Sequence, residues 1–341
     1  MSQSKNIETP WSPWHNRLHK SLKIKSDLLP FGSCLLLAIS GGQDSMVLLK
    51  LIADLQRLYK WDLHIWHGNH GWHKESKKIA AELEIWCGKK GFNFECHNAS
   101  LEQVRTEEAA RNWRYEKLLA QAKLLSSKNK NCPCKHVLTG HTATDQTETL
   151  IMNLARGTYL GGLSSLKESR KLDDDIKLIR PLLIFSREET DQICKELDLP
   201  IWVDPSNIDL TYKRNKVRHK VIPILEEMHP GSTRRIASLA ERLSYIKDNQ
   251  DSLISIAMET ITNSEGLDRV KLGRLPQQTR IIILAKWLED SGAPNISAPQ
   301  LEELSNYILK KFPPGVRNFS KGLKIIWNKE SIKLVSLSDS K

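Results

Sequence analysis

Short apolar runs alternate with longer stretches of helical periodicity over the first half of this 341-residue chain. The strand-like runs lie at residues 34–39, 63–67, 92–96 and 136–139. The helix-like stretches, with apolar side chains three or four positions apart, lie at residues 46–52, 74–90, 107–125 and 144–154. This alternation predicts an α/β fold with a doubly wound parallel sheet that is covered by helices on both faces.

The second half has a different pattern and predicts a second, smaller domain. Helical periodicity occurs at residues 239–261, 278–288 and 298–309, and short strand-like segments follow at 316–337. Two domains are more common than one in a chain of this length. We therefore expect an N-terminal extension over residues 1–29, a main α/β domain over 30–215, and a linker helix with a small, mostly helical C-terminal domain over 216–341.

The turn after the first strand has the sequence Ser40-Gly41-Gly42-Gln43-Asp44-Ser45 and leads directly into a helix. Two adjacent glycines allow the backbone to approach a ligand closely. The free N–H groups of the helix start and the two serine hydroxyls favour an anion above the turn. A carboxylate at position 44 fits beside a phosphate when Mg²⁺ lies between them. The turn therefore predicts a phosphate site; an ordinary glycine turn is the alternative, and the Walker and dinucleotide spacings are absent.

Two further polar clusters follow strand ends. We expect them at the same sheet edge, because parallel sheets bind ligands at the carboxyl ends of their strands. The first contains His67 and His70, which we assign to a nucleotide base in preference to a metal, since no cysteine or carboxylate completes a ligand set nearby. The second contains His141, Asp145 and Glu148. Carboxylates at a helix start can be simple caps, but their position favours catalysis.

The chain carries a formal charge of +11 and has an isoelectric point near 9.3. Such a basic chain suits a polyanionic partner, although a lysine-rich solvated surface explains the charge equally well. Arg111 and Arg114 share one face of a predicted helix and are spaced to hold phosphates. The densest basic run starts after Tyr212, and we expect it to follow an RNA backbone through Lys213, Arg214, Lys216 and Arg218. A solvated helix is the alternative for both segments.

Six scattered cysteines are too few for a disulfide scaffold and indicate a reducing cytoplasm. The first residues lack the apolar segment of a secretory signal, and no apolar run reaches membrane-spanning length. We therefore expect a cytoplasmic protein with no membrane partner. Cys132 and Cys134 lie on a lysine-rich segment that we interpret as a surface loop in preference to a metal site.

Taken together and in order, these motifs resemble the tRNA(Ile)-lysidine synthetase family of the PP-loop ATP pyrophosphatase superfamily. The resemblance covers about residues 30–225. It rests on the residue 40–45 turn, Asn69-His70-Gly71, the helix from Glu108 to Tyr115, His141 with Asp145 and Glu148, and Asp204-Pro205-Ser206-Asn207 followed by Tyr212, Arg214, Asn215 and Arg218. The chain has Trp72-His73 where the family often carries a basic residue, and Thr142 where it usually has a second histidine. Both departures leave the phosphate turn intact.

The resemblance implies an adenine nucleotide alpha hydrolase-like fold and a defined reaction. ATP activates C2 of the wobble cytidine in the CAU anticodon of tRNA(Ile), pyrophosphate leaves, and free L-lysine displaces AMP to give lysidine. The resemblance also implies that residues 40–45 and His70 contact ATP, that Asp44 holds Mg²⁺, and that Asp44, Asp145, Glu148 and His141 are catalytic. A PP-loop tRNA thiolase and a non-catalytic tRNA-binding protein are the alternatives, and a homodimer is left open.

Overall fold

The structure is a computed structural model. It describes residues 11–72, 75–157, 160–163, 166–202, 209–264, 266–292, 297–309, 311–318 and 323–336. Two compact units, Met1–Ser244 and Tyr245–Lys341, divide the chain within the long helix Ser232–Ile261. The domain boundaries expected after residues 29 and 215 stay predictions. Among the described helices, none combines the length and apolar character that crossing a membrane requires.

A six-stranded sheet forms the centre of the first unit. Its strands are β1 (Cys34–Ala38), β2 (Asp62–Asn69), β3 (Asn93–Asn98), β4 (Cys134–Thr139), β5 (Ser169–Lys171) and β6 (Lys177–Ile179). They are ordered β3-β2-β1-β4-β6-β5, and each neighbouring pair is parallel except β5 with β6. The chain winds outward from β1 in both directions, which confirms the predicted doubly wound α/β class.

Helices connect and cover these strands. In chain order they are α1 (Pro13–Ile24), α2 (Gln43–Tyr59), α3 (Ser76–Lys89), α4 (Glu107–Lys128), α5 (Ala143–Ala155), α6 (Leu160–Leu163), α7 (Arg187–Glu196), α8 (Lys213–Lys216), α9 (Ile222–Met228) and α10 (Ser232–Ile261). A 3₁₀ turn at Pro181–Ile184 precedes α7, and a π-helical turn at Val217–Val221 joins α8 to α9.

Both faces of the sheet are buried, as the alternation along β1 shows. Leu35 and Leu37 belong to one core, which they share with Leu49 of α2. Leu36 belongs to the core on the other face, together with Trp113 of α4. Each fully buried leucine contributes roughly 1.5–3 kcal/mol to stability. Because both faces exclude water, polar ligand-binding groups are left to the strand ends.

The second unit combines helices with an antiparallel sheet. The helices are α11 (Arg269–Gly273), α12 (Gln277–Asp290) and α13 (Ala298–Tyr307). The strands are β7 (Thr262–Asn263), β8 (Gly266–Asp268), β9 (Gly315–Asn318), β10 (Leu323–Trp327) and β11 (Ser331–Ser336), in the order β7-β8-β11-β10-β9. The predicted helices and C-terminal strands are confirmed. The sequence did not predict β7 and β8, because two or three residues are too few to show periodicity.

Two element boundaries near the strand ends differ from the prediction. The second strand extends to Asn69, because its pairing with β3 continues to Asn98, so His67 lies within the strand and not in a turn after it. The helix predicted to begin near Lys216 already begins at Lys213. His73 and the segment Asp204-Pro205-Ser206-Asn207 lie outside the described residues.

Candidate active site at the carboxyl ends of the strands

The turn between β1 and α2 has the geometry of an anion site. Gly41 takes a φ of +87°, which L side chains rarely adopt, and its carbonyl accepts a hydrogen bond from the Trp202 N–H. Ser45 Oγ donates to the Gly42 carbonyl over 2.8 Å, which holds the turn closed. Gly42 is the N-cap of α2 and has no side chain to satisfy the first N–H groups of the helix. These N–H groups and the helix dipole favour a phosphate at this point.

The end of β4 packs directly against the same turn. A Cβ at Gly140 would lie 2.9 Å from the Asp44 carbonyl oxygen and 3.0 Å from the Ser45 amide nitrogen. Real Cβ atoms essentially never lie so close to backbone atoms, so glycine is what lets β4 end here without displacing α2. This close approach brings the start of α5, which follows β4, beside the phosphate turn.

The carboxylate of Asp44 is held by α7. Its Oδ2 accepts a hydrogen bond from Arg187 Nη1, and its Oδ1 accepts one from Thr190 Oγ1, each over 2.5 Å. Gln43 also faces this helix, since its amide donates to the Arg187 carbonyl and to Thr190. Burial raises the pKa of Asp44 to about 6; Arg187 opposes the rise, and the charge of Asp145 adds to it. Asp44 is thus a half-buried carboxylate with a fixed orientation.

Asp145 and Glu148 of α5 form a charge cluster with Arg214 of α8 and Arg218 of the π turn. Glu148 accepts from Arg214 Nε over 2.6 Å and from Arg218 Nε over 2.5 Å. Asp145 Oδ1 accepts from Nη2 of Arg214 over 2.8 Å and from Nη2 of Arg218 over 3.3 Å. The Glu148 side chain is fully buried, so its charge depends on these partners. Spacings of three and four residues place both members of each pair on one helix face.

Asp145 also caps the start of α5. Its Oδ2 accepts hydrogen bonds from the Thr142 N–H over 2.7 Å and from the Thr142 hydroxyl over 3.0 Å. Burial alone would raise the pKa of Asp145, but the charges of Arg214 and Arg218, together with the hydrogen bond from the Thr142 N–H, hold it below its usual range. His141 has a lowered pKa, mainly because it is buried, and is neutral near pH 7. Helix capping and a place in the charge cluster are therefore combined in one side chain.

A cleft of about 380 Å³ lies over these strand ends. Aromatic rings form one wall of the cleft, which we call the aromatic wall. The ring centroid of His70 lies 5.3 Å from that of Trp72 and 5.2 Å from that of Trp113. Trp202, which follows α7 in the sequence, also lines the cleft, and its indole Nε1 donates a hydrogen bond to Glu82 over 2.8 Å. Flat aromatic surfaces of this kind suit a nucleotide base.

A second basic group surrounds the ring of Tyr115 beside the cleft. The guanidinium carbons of Arg111, Arg114 and Arg170 lie 5.6, 5.9 and 4.6 Å from the ring centroid. Burial would raise the pKa of Tyr115, but the nearby guanidiniums of Arg111, Arg114 and Arg180 lower it. The Nε of Arg114 is shielded from solvent and has no hydrogen-bond partner among the described residues. This concentration of positive charge suits a phosphate.

The structure sorts the sequence-predicted residues by position. The cleft is lined by Ser40, Gly42, His70, Arg114, Asp145, Arg214 and Arg218. Behind this lining, the turn into α2 contains Gly41, Gln43, Asp44 and Ser45. His141 lies just before α5, and Glu148 belongs to the charge cluster. Three of the predicted site residues, Arg111, Lys213 and Lys216, are exposed. Arg214 and Arg218, expected along an RNA backbone, have their guanidiniums turned to carboxylates in this structure.

Sequence reasoning missed Arg187, Thr190 and Trp202. Arg187 lies 143 residues from its partner Asp44, so no local spacing connects them. The one available signal is the capping box from Ser186 to Glu189, which marks a helix start at Arg187. Trp202 is a single aromatic residue outside any motif.

The central strand, the glycine turn into a helix and the cleft at the strand ends define the chain as a PP-loop protein, and the family model for the PP-loop domain matches residues 16–225. The chain is 56% identical over 336 residues to the tRNA(Ile)-lysidine synthase of Prochlorococcus marinus strain SARG, with 98% of this chain and 100% of that protein covered. The protein of the same name from Parasynechococcus marenigrum strain WH8102 is 42% identical over 338 residues, with 98% of each chain covered. The chain therefore belongs to the tRNA(Ile)-lysidine synthase family.

The fold is also found among solved structures. The U34-tRNA thiolase NcsA from Methanococcus maripaludis, with its [4Fe-4S] cluster, superposes with a TM-score of 0.53 at 22% sequence identity. The superposition covers 68% of this chain and 80% of the thiolase chain. At this identity, the likeness concerns the fold alone.

The packing of β4 against the phosphate turn predicts the effect of two glycine substitutions. In Gly140→Ala the new methyl group meets backbone atoms of Asp44 and Ser45, which must shift; a Cβ at Gly88 of α3 has nothing within 4 Å. Overpacking costs about 1–3 kcal/mol. We expect Gly140→Ala to lower the melting temperature and to weaken ATP binding at least about tenfold in calorimetry, a change of roughly 1.4 kcal/mol. Gly88→Ala is the matched control, and equal ATP affinity in both variants would contradict the packing argument.

Proposed function

We propose that this chain ligates free L-lysine to C2 of the wobble cytidine in the CAU anticodon of tRNA(Ile). In the first step the base oxygen on C2 attacks the α-phosphate of ATP, and pyrophosphate leaves. In the second step the amino group of lysine attacks C2, loses a proton, and AMP leaves with that oxygen. Adenylation is needed because the carbonyl oxygen of a pyrimidine is a poor leaving group.

One observation supports this reaction above all: the phosphate turn and the charge cluster face the same cleft. Ser40 and Gly42 line one part of its wall, and Asp145 with Arg214 line another. A site that holds ATP and a cationic amino acid side by side needs both features. The nearly full-length match to the tRNA(Ile)-lysidine synthase family supports the choice of lysine and tRNA(Ile) as substrates.

The residues around the turn fit a Mg²⁺ ion that enters with ATP. Asp44 and Asp145 lie close enough for the charge of one to raise the pKa of the other. Mg²⁺ is commonly bound by one or two carboxylates together with phosphate oxygens. Asp44 would hold the ion, and Arg187 and Thr190 fix the direction of its carboxylate. The ion would supply positive charge to the departing pyrophosphate.

We assign Asp145 and Glu148 to the ammonium group of the substrate lysine. Their oxygens already accept hydrogen bonds from Arg214 and Arg218, so an incoming ammonium has to share these contacts or replace one guanidinium. Because the pKa of Asp145 is held below its usual range, this carboxylate is a weak base, and its part is to orient the ammonium. An arginine released in this way is available to the phosphates of ATP or of the tRNA.

The basic residues around the cleft supply the contacts for tRNA. Arg111 and Arg114 of α4 lie on the side of the aromatic wall, where a flipped-out anticodon base and its phosphate would enter. Lys213 and Lys216 are exposed on α8, three residues apart. Since the cluster carboxylates engage Arg214 and Arg218, these lysines are the residues of α8 that face solvent next to the site.

A thiolase function fits the cleft less well. Thiolation needs a reactive or cluster-binding cysteine near the base, and the described residues that line the cleft include none. Cys34 and Cys134 are the first residues of β1 and β4, at the opposite ends of the strands from the cleft. These two cysteines are therefore remote from the reacting base, and Cys194, which contacts the Gln43 carbonyl from α7, does not line the cleft.

The direct test of the proposed function is incubation of the protein with ATP, labelled lysine and tRNA(Ile) carrying a CAU anticodon. We expect label in the RNA and an equal amount of AMP. A tRNA with a different wobble base serves as the control and should stay unlabelled. Incorporation of sulfur, or consumption of ATP without any transfer of lysine, would overturn the proposal.

The assignment of Asp145 predicts a selective defect in the second step. Asp145→Asn keeps an oxygen that can cap α5 but removes the charge that faces the ammonium. We expect kcat/KM for lysine to fall at least about a hundredfold, roughly 2.7 kcal/mol of transition-state stabilisation, while adenylation of tRNA in the absence of lysine persists. Asp191→Asn, a surface carboxylate of α7 paired with Lys195, is the control. Normal use of lysine by Asp145→Asn would remove Asp145 from the lysine site.

The raised pKa of Asp44 predicts an acid limit for adenylation. The carboxylate binds Mg²⁺ only when it is ionised. Because its pKa is about 6, most Asp44 side chains become protonated once the pH falls below that value. The kcat/KM for ATP should therefore fall below about pH 6, because this ratio reports on the free enzyme. Arg187 lowers the pKa of Asp44, so Arg187→Gln should move the limit to higher pH. If the acid limit of kcat/KM lies at the same pH in Arg187→Gln, a group other than Asp44 sets it.

Neutralising Lys213 and Lys216 should weaken tRNA binding and leave anticodon preference intact. Each lost phosphate contact reduces the slope of log affinity against log salt by about 0.7–0.9, so the double alanine variant should lose about 1.4–1.8. Contacts with the backbone carry no sequence information, so discrimination between CAU and other anticodons should persist. Lys89→Ala with Lys90→Ala, where α3 ends near the opposite sheet edge, is the control. The same salt slope in both double variants would mean that α8 does not contact RNA.

A further inference from the structure

Metal-ligating side chains converge at the amino ends of the strands, away from the cleft. Cys34, the first residue of β1, lies in register with Asp62 of β2 on one side and with Cys134 of β4 on the other. Paired residues of neighbouring strands project to the same face of a sheet, and residues two apart in one strand do so too. His64, two residues after Asp62, therefore joins the group.

The donor atoms are close enough for one ion. The Cys34 Sγ, an Asp62 carboxylate oxygen and a His64 ring nitrogen all lie within 4.8 Å of one another. The Cys134 thiol forms a hydrogen bond with the Cys34 thiol across the strand pair β1–β4. Around a tetrahedral zinc ion, ligand atoms are roughly 3.3–3.8 Å apart, as bond lengths of about 2.0–2.3 Å require. Small side-chain adjustments would bring Cys34, Asp62 and His64 to this spacing, and Cys134, which lies outside that group of three, would have to turn toward the ion from its place beside Cys34.

The contact between Asp62 and His64 also has a counterpart in metal sites. Asp62 Oδ2 lies 3.0 Å from His64 Nε2. A carboxylate beside a ligating imidazole fixes the orientation of the ring and raises its basicity. His64 also lies against the Cys34 thiol. The imidazole is thus already held between an acidic side chain and a thiol.

We propose that Cys34, Cys134, His64 and Asp62 form a structural zinc site. Thiolate and imidazole ligands together select Zn²⁺ over Mg²⁺ or Ca²⁺, which prefer oxygen. Four protein ligands leave no open position for a substrate, so the ion would join β1, β2 and β4 and take no part in the reaction. The exposed Lys128, Lys130 and Lys135 on the adjoining segment would offset the negative charge of two thiolates and a carboxylate.

A disulfide between Cys34 and Cys134 is the competing use of the same atoms. It would explain the adjacent thiols but not the carboxylate and imidazole packed against them. Cys132 lies near Cys34 and Asp62, but its Sγ donates to the Gly32 carbonyl over 3.3 Å, so we place it outside the ligand set. These alternatives give different results in the experiment below.

The test uses the full chain, purified with a phosphine reductant and analysed by elemental mass spectrometry and by competition with a chromogenic zinc chelator. We expect about one zinc per chain, and visible absorption typical of tetrahedral thiolate coordination after exchange for Co²⁺. Cys34→Ser, His64→Ala and Asp62→Ala should each weaken zinc binding at least about tenfold, whereas Cys132→Ser should bind zinc normally. Cys96→Ser, a half-buried cysteine of β3, is the matched control.

His64 is only partly buried, so His64→Ala keeps the test valid if Cys34→Ser does not fold. After the chelator has removed the bound metal, added zinc should raise the melting temperature of the unaltered chain and of Cys96→Ser, but not of His64→Ala. Zinc at the background level of a metal-free control protein, affinity unchanged in His64→Ala, or a Cys34–Cys134 disulfide in protein purified without reductant would each overturn the proposal.

Discussion

The candidate site depends on the charge cluster of Asp145, Glu148, Arg214 and Arg218. Glu148 has no exposed surface, and an isolated buried carboxylate would cost several kcal/mol. Two guanidiniums that bind it from one helical segment remove that cost and fix the segment over the end of the sheet. Tyr212 and Asn215, which line the cleft, are carried by the same segment. Without the charge cluster, these ion pairs would no longer hold the segment that forms this wall of the cleft against α5.

The second constraint is steric, at Gly140. Because β4 ends against the backbone of Asp44 and Ser45, the start of α5 is held next to the phosphate turn. The carboxylates of α5 then lie beside the place where a phosphate would bind, and the repulsion is limited by Arg187, Arg214 and Arg218. A cleft with this balance of charge can hold an anionic nucleotide together with a cationic amino acid.

Local patterns were enough to predict the fold and the residues of the phosphate turn. The buried run of β1 and the six residues after it are contiguous, so the sequence shows their structure directly. The partners of Asp44 and Glu148 could not be predicted, because Arg187 and Arg218 come from segments 143 and 70 residues away. The basic run after Tyr212 lies beside the cleft, but its composition does not reveal that two of its arginines face carboxylates. Strand register could not be predicted from the sequence either. Cys132 and Cys134 were therefore interpreted as part of a surface loop, although Cys134 begins β4 and lies beside Cys34.

The most direct measurement of the central claim is a double-mutant cycle between Glu148 and Arg218. Removing either charge alone leaves a buried partner short of one of its ion pairs and should lower the free energy of unfolding by about 3–5 kcal/mol. Removing both, as in Glu148→Gln with Arg218→Met, leaves Asp145 paired with Arg214, so the loss in the double variant should be smaller than the sum of the two single losses by a coupling energy of about 2–3 kcal/mol. Lysine transfer to tRNA should remain impaired in the double variant. Simple additivity of the two stability losses would show that the charge cluster does not anchor the cleft, and full recovery of lysine transfer would show that it does not bind the substrate.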